Sequence, residues 1–81
     1  MNPFLGQIQA FAFSFAPQGW LPCDGQLIPI PQNTALFAVI GNFYGGDGKT
    51  TFALPKLAPI APQGPSYFIA IQGVFPEQPS Q

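Results

Sequence analysis

From Gly6 to Phe15 the chain alternates, with Gln7, Gln9, Phe11, Phe13 and Phe15 on one side and Ile8, Ala10, Ala12 and Ser14 on the other. Spacing of period two over this length predicts a strand with one large aromatic face and one face of small residues, the latter suited to close packing against another layer. Pro17-Gln18-Gly19 ends that run, and Trp20 to Cys23 resumes extended structure. Asp24-Gly25 between two short apolar runs is a hairpin signal, because both residues tolerate the positive φ of a type I′ turn. Leu21 to Cys23 is therefore expected to pair with Gln26 to Ile28.

Pro29-Ile30-Pro31 fixes an extended entry to a helix running to about Ile40, with Asn33 or a neighbour capping its first turn. Leu36, Phe37, Val39 and Ile40 form its apolar face, and Gly41 stands where a C-terminal cap of positive φ is usual. Two turns do not persist alone, so this helix has to be held by packing, expected on the Trp20 side of the sheet. Asn42 to Lys49 reads as a glycine-rich loop and Thr50 to Leu54 as a short strand. With Pro55, Pro59, Pro62 and Pro65, the stretch 55–65 suits neither a helix nor a central strand and reads as an extended surface connector. Tyr67 to Gln72 is apolar enough to be a central strand, and the division expected is a single domain over 1–76 with a flexible tail at 77–81. The fold class is mostly β with one short α-helix, a small α+β domain of antiparallel strands and an irregular proline-rich connector.

Composition narrows what such a domain can do. In 81 residues only Asp24, Asp47, Lys49, Lys56 and Glu77 are charged, against nine Phe and one Trp. Soluble domains carry roughly 25 % charged residues. A surface so poor in charge, with a net charge near zero, is weakly protected against association, which implies that other chains cover much of it. Two lysines and no arginine cannot neutralise a row of phosphates, so no nucleic-acid partner is expected. The longest apolar stretches fall short of the ~20 residues that span a bilayer. Met1-Asn2-Pro3-Phe4 lacks the basic region of a secretory signal, and export is expected as part of a particle, by lysis or through a dedicated machine.

The candidates for chemistry are few. Cys23 is the only cysteine and there is no histidine, so neither a disulfide within the chain nor a Cys-His or Ser-His-Asp nucleophile can form. Beside Trp20 and Pro22 it reads as a small buried hydrophobe, with a reactive or interchain thiol as the alternative. Gly48-Lys49-Thr50 imitates the end of a phosphate-binding loop, but Phe43 occupies the place of the pattern's first glycine and no helix follows. Asp24 and Asp47 alone supply too few oxygens for a Ca²⁺ loop, and each suits the turn it occupies better than a pair of catalytic carboxylates. No catalytic residue, metal or cofactor is expected. Trp20, Tyr44 and Tyr67 could stack on sugar rings while Asp24, Gln26, Asn42 and Asp47 bond hydroxyls; the competing reading puts Trp20 in the core with the tyrosines at its edge.

Three segments together carry a resemblance. They are Gly19-Trp20-Leu21-Pro22-Cys23-Asp24-Gly25-Gln26, Thr34-Ala35-Leu36-Phe37-Ala38-Val39-Ile40-Gly41, and Tyr44-Gly45-Gly46-Asp47-Gly48-Lys49-Thr50-Thr51-Phe52-Ala53-Leu54-Pro55. Their order and spacing resemble the phage tail collar domain of tail fibres and of small microcystin-dependent-protein-like chains, and Tyr67 to Pro76 looks like that family's closing strand. The resemblance implies a structural or adhesive protein of a virion tail or an extracellular particle or filament, and not an enzyme. It implies partners that are copies of the chain, as trimers or a larger array, and other tail proteins. Phe11, Phe13, Phe15, Phe68 and Phe75, with Val74, are the expected assembly residues; Trp20, Cys23, Gly25, Gly45, Gly46 and Gly48 are the structural ones. The alternative is a surface-glycan-binding module using Tyr44, Asp47, Asn42 and Asp24. Two departures stand out: the histidine motif by which some relatives bind metal on a trimer axis is missing, and the common Leu-Pro-Asp-Leu end is Leu54-Pro55-Lys56-Leu57 here.

Overall fold

In the computed structural model, residues 3–13, 15–58 and 66–76 are described. The strands are β1 (Ile8–Phe11), β2 (Trp20–Pro22), β3 (Leu27–Pro29), β4 (Thr51–Ala53) and β5 (Ser66–Ala70), with one helix, α1 (Thr34–Ile40), between β3 and β4. They form two antiparallel sheets, one ordered β1-β5-β2 and one made of β3 and β4. The apolar run at 67–70 is thus a central strand, as its density of buried side chains requires. Most of the proline-rich connector (59–65) and the tail at 77–81 lie outside the described residues.

The alternating segment pairs over less of its length than its pattern suggests. Its ladder with β5 runs from Ile8 opposite Ile69 to Phe11 opposite Ser66, and β5 starts there. At its other end Gly6 donates to Ala70 O while Ala70 donates to Gln7 O, so two residues share one partner. Gly6 has φ +85°, and this is a bulge of the kind that places a glycine first and bends the strand.

The Asp24-Gly25 hairpin does not form. β2 pairs with β5, Leu21 opposite Ile69, and β3 pairs with β4, Ile28 opposite Phe52. Cys23 is the crossing point between them: its N–H donates to Tyr67 O (3.1 Å) and its carbonyl accepts from Leu57 N–H (2.9 Å). Gly25 then donates to Pro55 O, and Asp24 faces Lys56 in an antiparallel bridge. Two local strands of three residues bury little when folded on each other, whereas each gains a buried partner strand by leaving the other.

The core consists of Leu5, Cys23, Ile28, Leu36, Phe52, Leu54 and Ile69, with Leu21, Phe37, Val39, Ile40, Tyr67 and Ile71 packed around it. Opposite residues of an antiparallel pair share a face, so Leu21 and Ile69 face this core while Trp20, Ala70 and Phe68 face away. The helix therefore packs on the side opposite Trp20, which corrects the sequence-based placement. Leu36 is its one buried residue, and Phe37 lies against Phe52 with ring centroids 5.2 Å apart. Asn33 holds the N-cap position without a side-chain cap bond; its amide donates to Pro29 O instead (2.9 Å). Gly41 closes the helix at φ +61°, donating to Phe37 O (2.7 Å).

Cys23 is 3 % exposed and unpaired, and burial, with the Asp24 charge added, pushes its thiol up to about 11. A thiol whose folded pKa is raised stabilises the fold below its unfolded value of about 8.5 and loses that contribution as pH rises toward the folded value. Two outcomes are expected. Ellman's reagent modifies Cys23 in native protein at least about 100-fold more slowly than in urea, since only the opened state presents a thiolate. The urea midpoint falls as pH is raised from about 9 to about 11, and this fall is absent in Cys23→Ala.

Candidate functional site

On the face turned away from the core, Phe11 is the centre of an aromatic surface. It meets Trp20 edge-on at 5.1 Å, tilts over Phe68 at 5.7 Å and stacks with Phe13 at 5.2 Å. Phe13 stacks in turn on Phe15 at 4.6 Å. These edge-on and stacked geometries are ones the ring quadrupole favours. Although β1 ends at Phe11, the period of two survives as a row of rings that leaves the sheet. Exposure rises along it: Phe68 is 2 % exposed, Phe13 38 % and Phe15 66 %. Phe68 is thus a support beneath Phe11 and not a contact residue, and Trp20 belongs to this surface and not to the core. Phe75 lies elsewhere, next to Val74, whose backbone bridges to Phe4; all three are exposed.

The glycine-rich loop folds back along the outer edge of β4. Gly48 donates to Thr51 O (3.0 Å) and Ala53 donates to Gly45 O (3.1 Å). Asp47 ties the bend, its Oδ1 accepting the N–H groups of Lys49 (2.8 Å), Thr50 (2.8 Å) and Thr51 (3.0 Å), and its Oδ2 the Thr50 hydroxyl (2.8 Å). The bonds from Thr51, Lys49 and Thr50 hold its carboxyl well below the usual carboxylate range. Gly46 is where the loop comes closest: a Cβ there would lie 2.5 Å from Phe52 Cα and 2.7 Å from Thr51 O, at φ +88°. Gly45 and Gly48 also have positive φ.

The four residues of the glycan reading do not converge. Asn42 lies beside the loop, its amide 2.7 Å from where a Cβ of Gly48 would stand. Tyr44 is exposed and meets Phe43 edge-on at 5.3 Å. Asp24 sits with Lys56 at the far end of the β3–β4 ladder, roughly 16 Å from Thr51 at ~3.3 Å per residue. Its Oδ1 takes the Gln26 N–H (3.1 Å). Gly25 admits the stem of Lys56, whose Cβ would be 3.3 Å from a Gly25 Cβ, so the lysine that replaces the family's acidic residue lies along the crossing. Phe43, 87 % exposed, is the surface aromatic that sequence reasoning passed over; its signal was a phenylalanine that serves neither the helix face nor a strand alternation. Among the described residues no group of three or more His, Cys, Asp or Glu could hold a metal ion, and no helix is long and apolar enough to cross a membrane.

Two consequences of the loop geometry can be measured. Gly46→Ala forces the loop off β4 at a positive-φ position and is expected to cost about 2–4 kcal/mol in urea unfolding. A carboxylate with a lowered folded pKa stabilises above its unfolded value of about 4 and loses that contribution as pH falls. Asp47→Asn therefore lowers the melting temperature at neutral pH and flattens its decline below about pH 4.

The pattern of the Phage Tail Collar Domain matches residues 6–62. No curated protein matches, and no solved structure does. The matched span runs from the Gly6 bulge through the Cys23 crossing, the helix and the Asp47 loop and through most of the connector, which is most of the chain, and the protein belongs to the phage tail collar domain family.

Proposed function

We propose that this collar domain is a structural subunit of a phage tail, or of a particle or filament derived from one, and that it associates with copies of itself. The observation that carries this reading is the row Phe11-Phe13-Phe15, which projects stacked rings into solvent beyond the end of β1. Contiguous exposed aromatic surface marks an interaction site. The whole chain has five charged side chains and none precedes Asp24, so β1 and the row of rings that continues it carry no charged side chain. Burying the exposed parts of such rings contributes at most about 1.5–3 kcal/mol each, a driving force set against the cost of association. Other tail proteins are the natural additional partners of such a subunit.

A second reading, recognition of surface glycan, draws on the exposed Phe43–Tyr44 pair beside Asn42. Aromatic faces with neighbouring amides are the ingredients of a sugar site. Asp47 adds little to it, since its oxygens are engaged in the loop.

Light scattering after size exclusion, over a hundredfold range of concentration, tests the first reading. The expected result is a mass that rises with concentration, and a midpoint raised at least about tenfold by Phe13→Ser with Phe15→Ser while the far-UV spectrum is unchanged. A protein that stays monomeric throughout sinks it. Sugar-competed glycan binding that disappears in Tyr44→Ala, with assembly intact, would establish the second reading.

A further inference from the structure

Among the described residues the two sheets present four outer strand edges, and three of them are covered or interrupted by the chain itself. On β4 the glycine loop takes the N–H groups of Thr51 and Ala53 and donates to Thr51 O. On β3 the alternation of the ladder turns Leu27 and Pro29 outward; Leu27 keeps its N–H and C=O without a partner among the described residues, but Pro29 has no N–H and its carbonyl is taken by Asn33, which interrupts the edge after one residue. On β2 it turns Trp20 and Pro22 outward. The Trp20 N–H is spent on Pro17 O (3.0 Å), and Pro22 has none, so this edge offers no donor to an incoming strand.

The edge of β1 differs. Gln9 and Phe11 bond toward β5, which leaves the N–H and C=O of Ile8 and Ala10 directed outward. Among the described residues none of these groups has a hydrogen-bond partner. Apart from its short length and the Gly6 bulge at its start, this edge has none of the usual protections: Ile8-Gln9-Ala10-Phe11 contains no proline, lysine or inward-pointing charge.

We infer that the β1 edge is a self-pairing site, taking β1 of a second copy antiparallel across a two-fold axis that passes through Gln9. The inference rests on the reading of the chain as a self-associating subunit and names where the copies meet. Because the β2 edge is blocked, β1 cannot continue head-to-tail into the β2 of a neighbour, and the closed two-fold arrangement remains. In that register the outward groups of Ile8 meet those of Ala10 of the second copy, donor to acceptor, and Gln9 meets Gln9. The branched Ile8, 40 % exposed, falls opposite the small Ala10, a large-to-small match on one face. On the other face Phe11 falls opposite Gln7, so the aromatic rows of both copies lie on the same side of the joined sheet. A two-fold axis brings a charged residue on the axis onto its own copy, and no charged side chain occurs before Asp24.

The test uses two variants and the wild-type protein. Gln9→Cys places a thiol on the axis at a non-hydrogen-bonded pair, where Cα atoms are about 4.5 Å apart, within disulfide range; mild oxidation is expected to link most of it as a dimer, while Gln7→Cys is not linked. Ala10→Pro removes only an outward N–H and is expected to raise the dimer dissociation constant at least about tenfold. Should Ala10→Pro fail to fold, judged by its far-UV spectrum, the Gln9→Cys and Gln7→Cys pair decides alone. Wild-type association that persists with no Gln9→Cys disulfide overturns the β1 edge as the contact and leaves self-association standing. A wild-type protein monomeric at every concentration overturns both.

Discussion

Cys23 gives its N–H to Tyr67 in the first sheet and takes the Leu57 N–H on its carbonyl, just past the Asp24–Lys56 bridge that continues the register of the second sheet, with its side chain in the core. Two small sheets, one of three strands and one of two, bury too little to stand independently. Their joining through a shared backbone position sets the spacing at which Leu21 and Ile69 meet Ile28, Phe52 and Leu54. A residue at this position has to be small, apolar and extended, and a protonated thiol meets those conditions. Gly25 serves the same crossing from the outside, by leaving room for the stem of Lys56.

With the sheets joined, the rest of the chain satisfies edges. Backbone groups on an outer strand are unpaired by construction, and each has to be covered, disabled or left to a partner. The glycine loop covers β4, which explains why it needs both a glycine that approaches Phe52 closely and an aspartate that collects successive amides. Prolines disable β2 and β3 while keeping their φ compatible with a strand. The loop covers the outer edge of β4, and its carboxylate is engaged within the protein. The unprotected β1 lies beside the aromatic row, so the surface with spare hydrogen-bonding capacity and the surface with spare apolar area are continuous. Membership of the collar family agrees with a structural, tail-associated domain.

Much of this was legible beforehand. The alternation at 6–15 located both the edge strand and its aromatic face, because side-chain direction in a strand depends on parity alone. The apolar run at 67–72 identified the central strand, which in the structure runs Ser66–Ala70, and the Gly41 stop with the Asn33 start bracketed the helix. The segments at 19–26, 34–41 and 44–55 together identified the family. The candidate site was legible in its parts but not in its grouping: Phe13 and Phe15 were named for the right face, while Phe68 sits beneath it and Asp24 lies far from Asp47.

The sequence by itself determined which residues alternate, where the chain turns and how little charge it carries, since these depend on neighbours along the chain. Only the tertiary structure decided that Asp24-Gly25 is a passage between sheets and not a hairpin, that the helix packs opposite Trp20, and that Asp47 is occupied by Thr51. Each of those outcomes turns on which distant strand offers the larger burial and the free hydrogen bonds, and a local signal worth a kilocalorie or so yields to that competition.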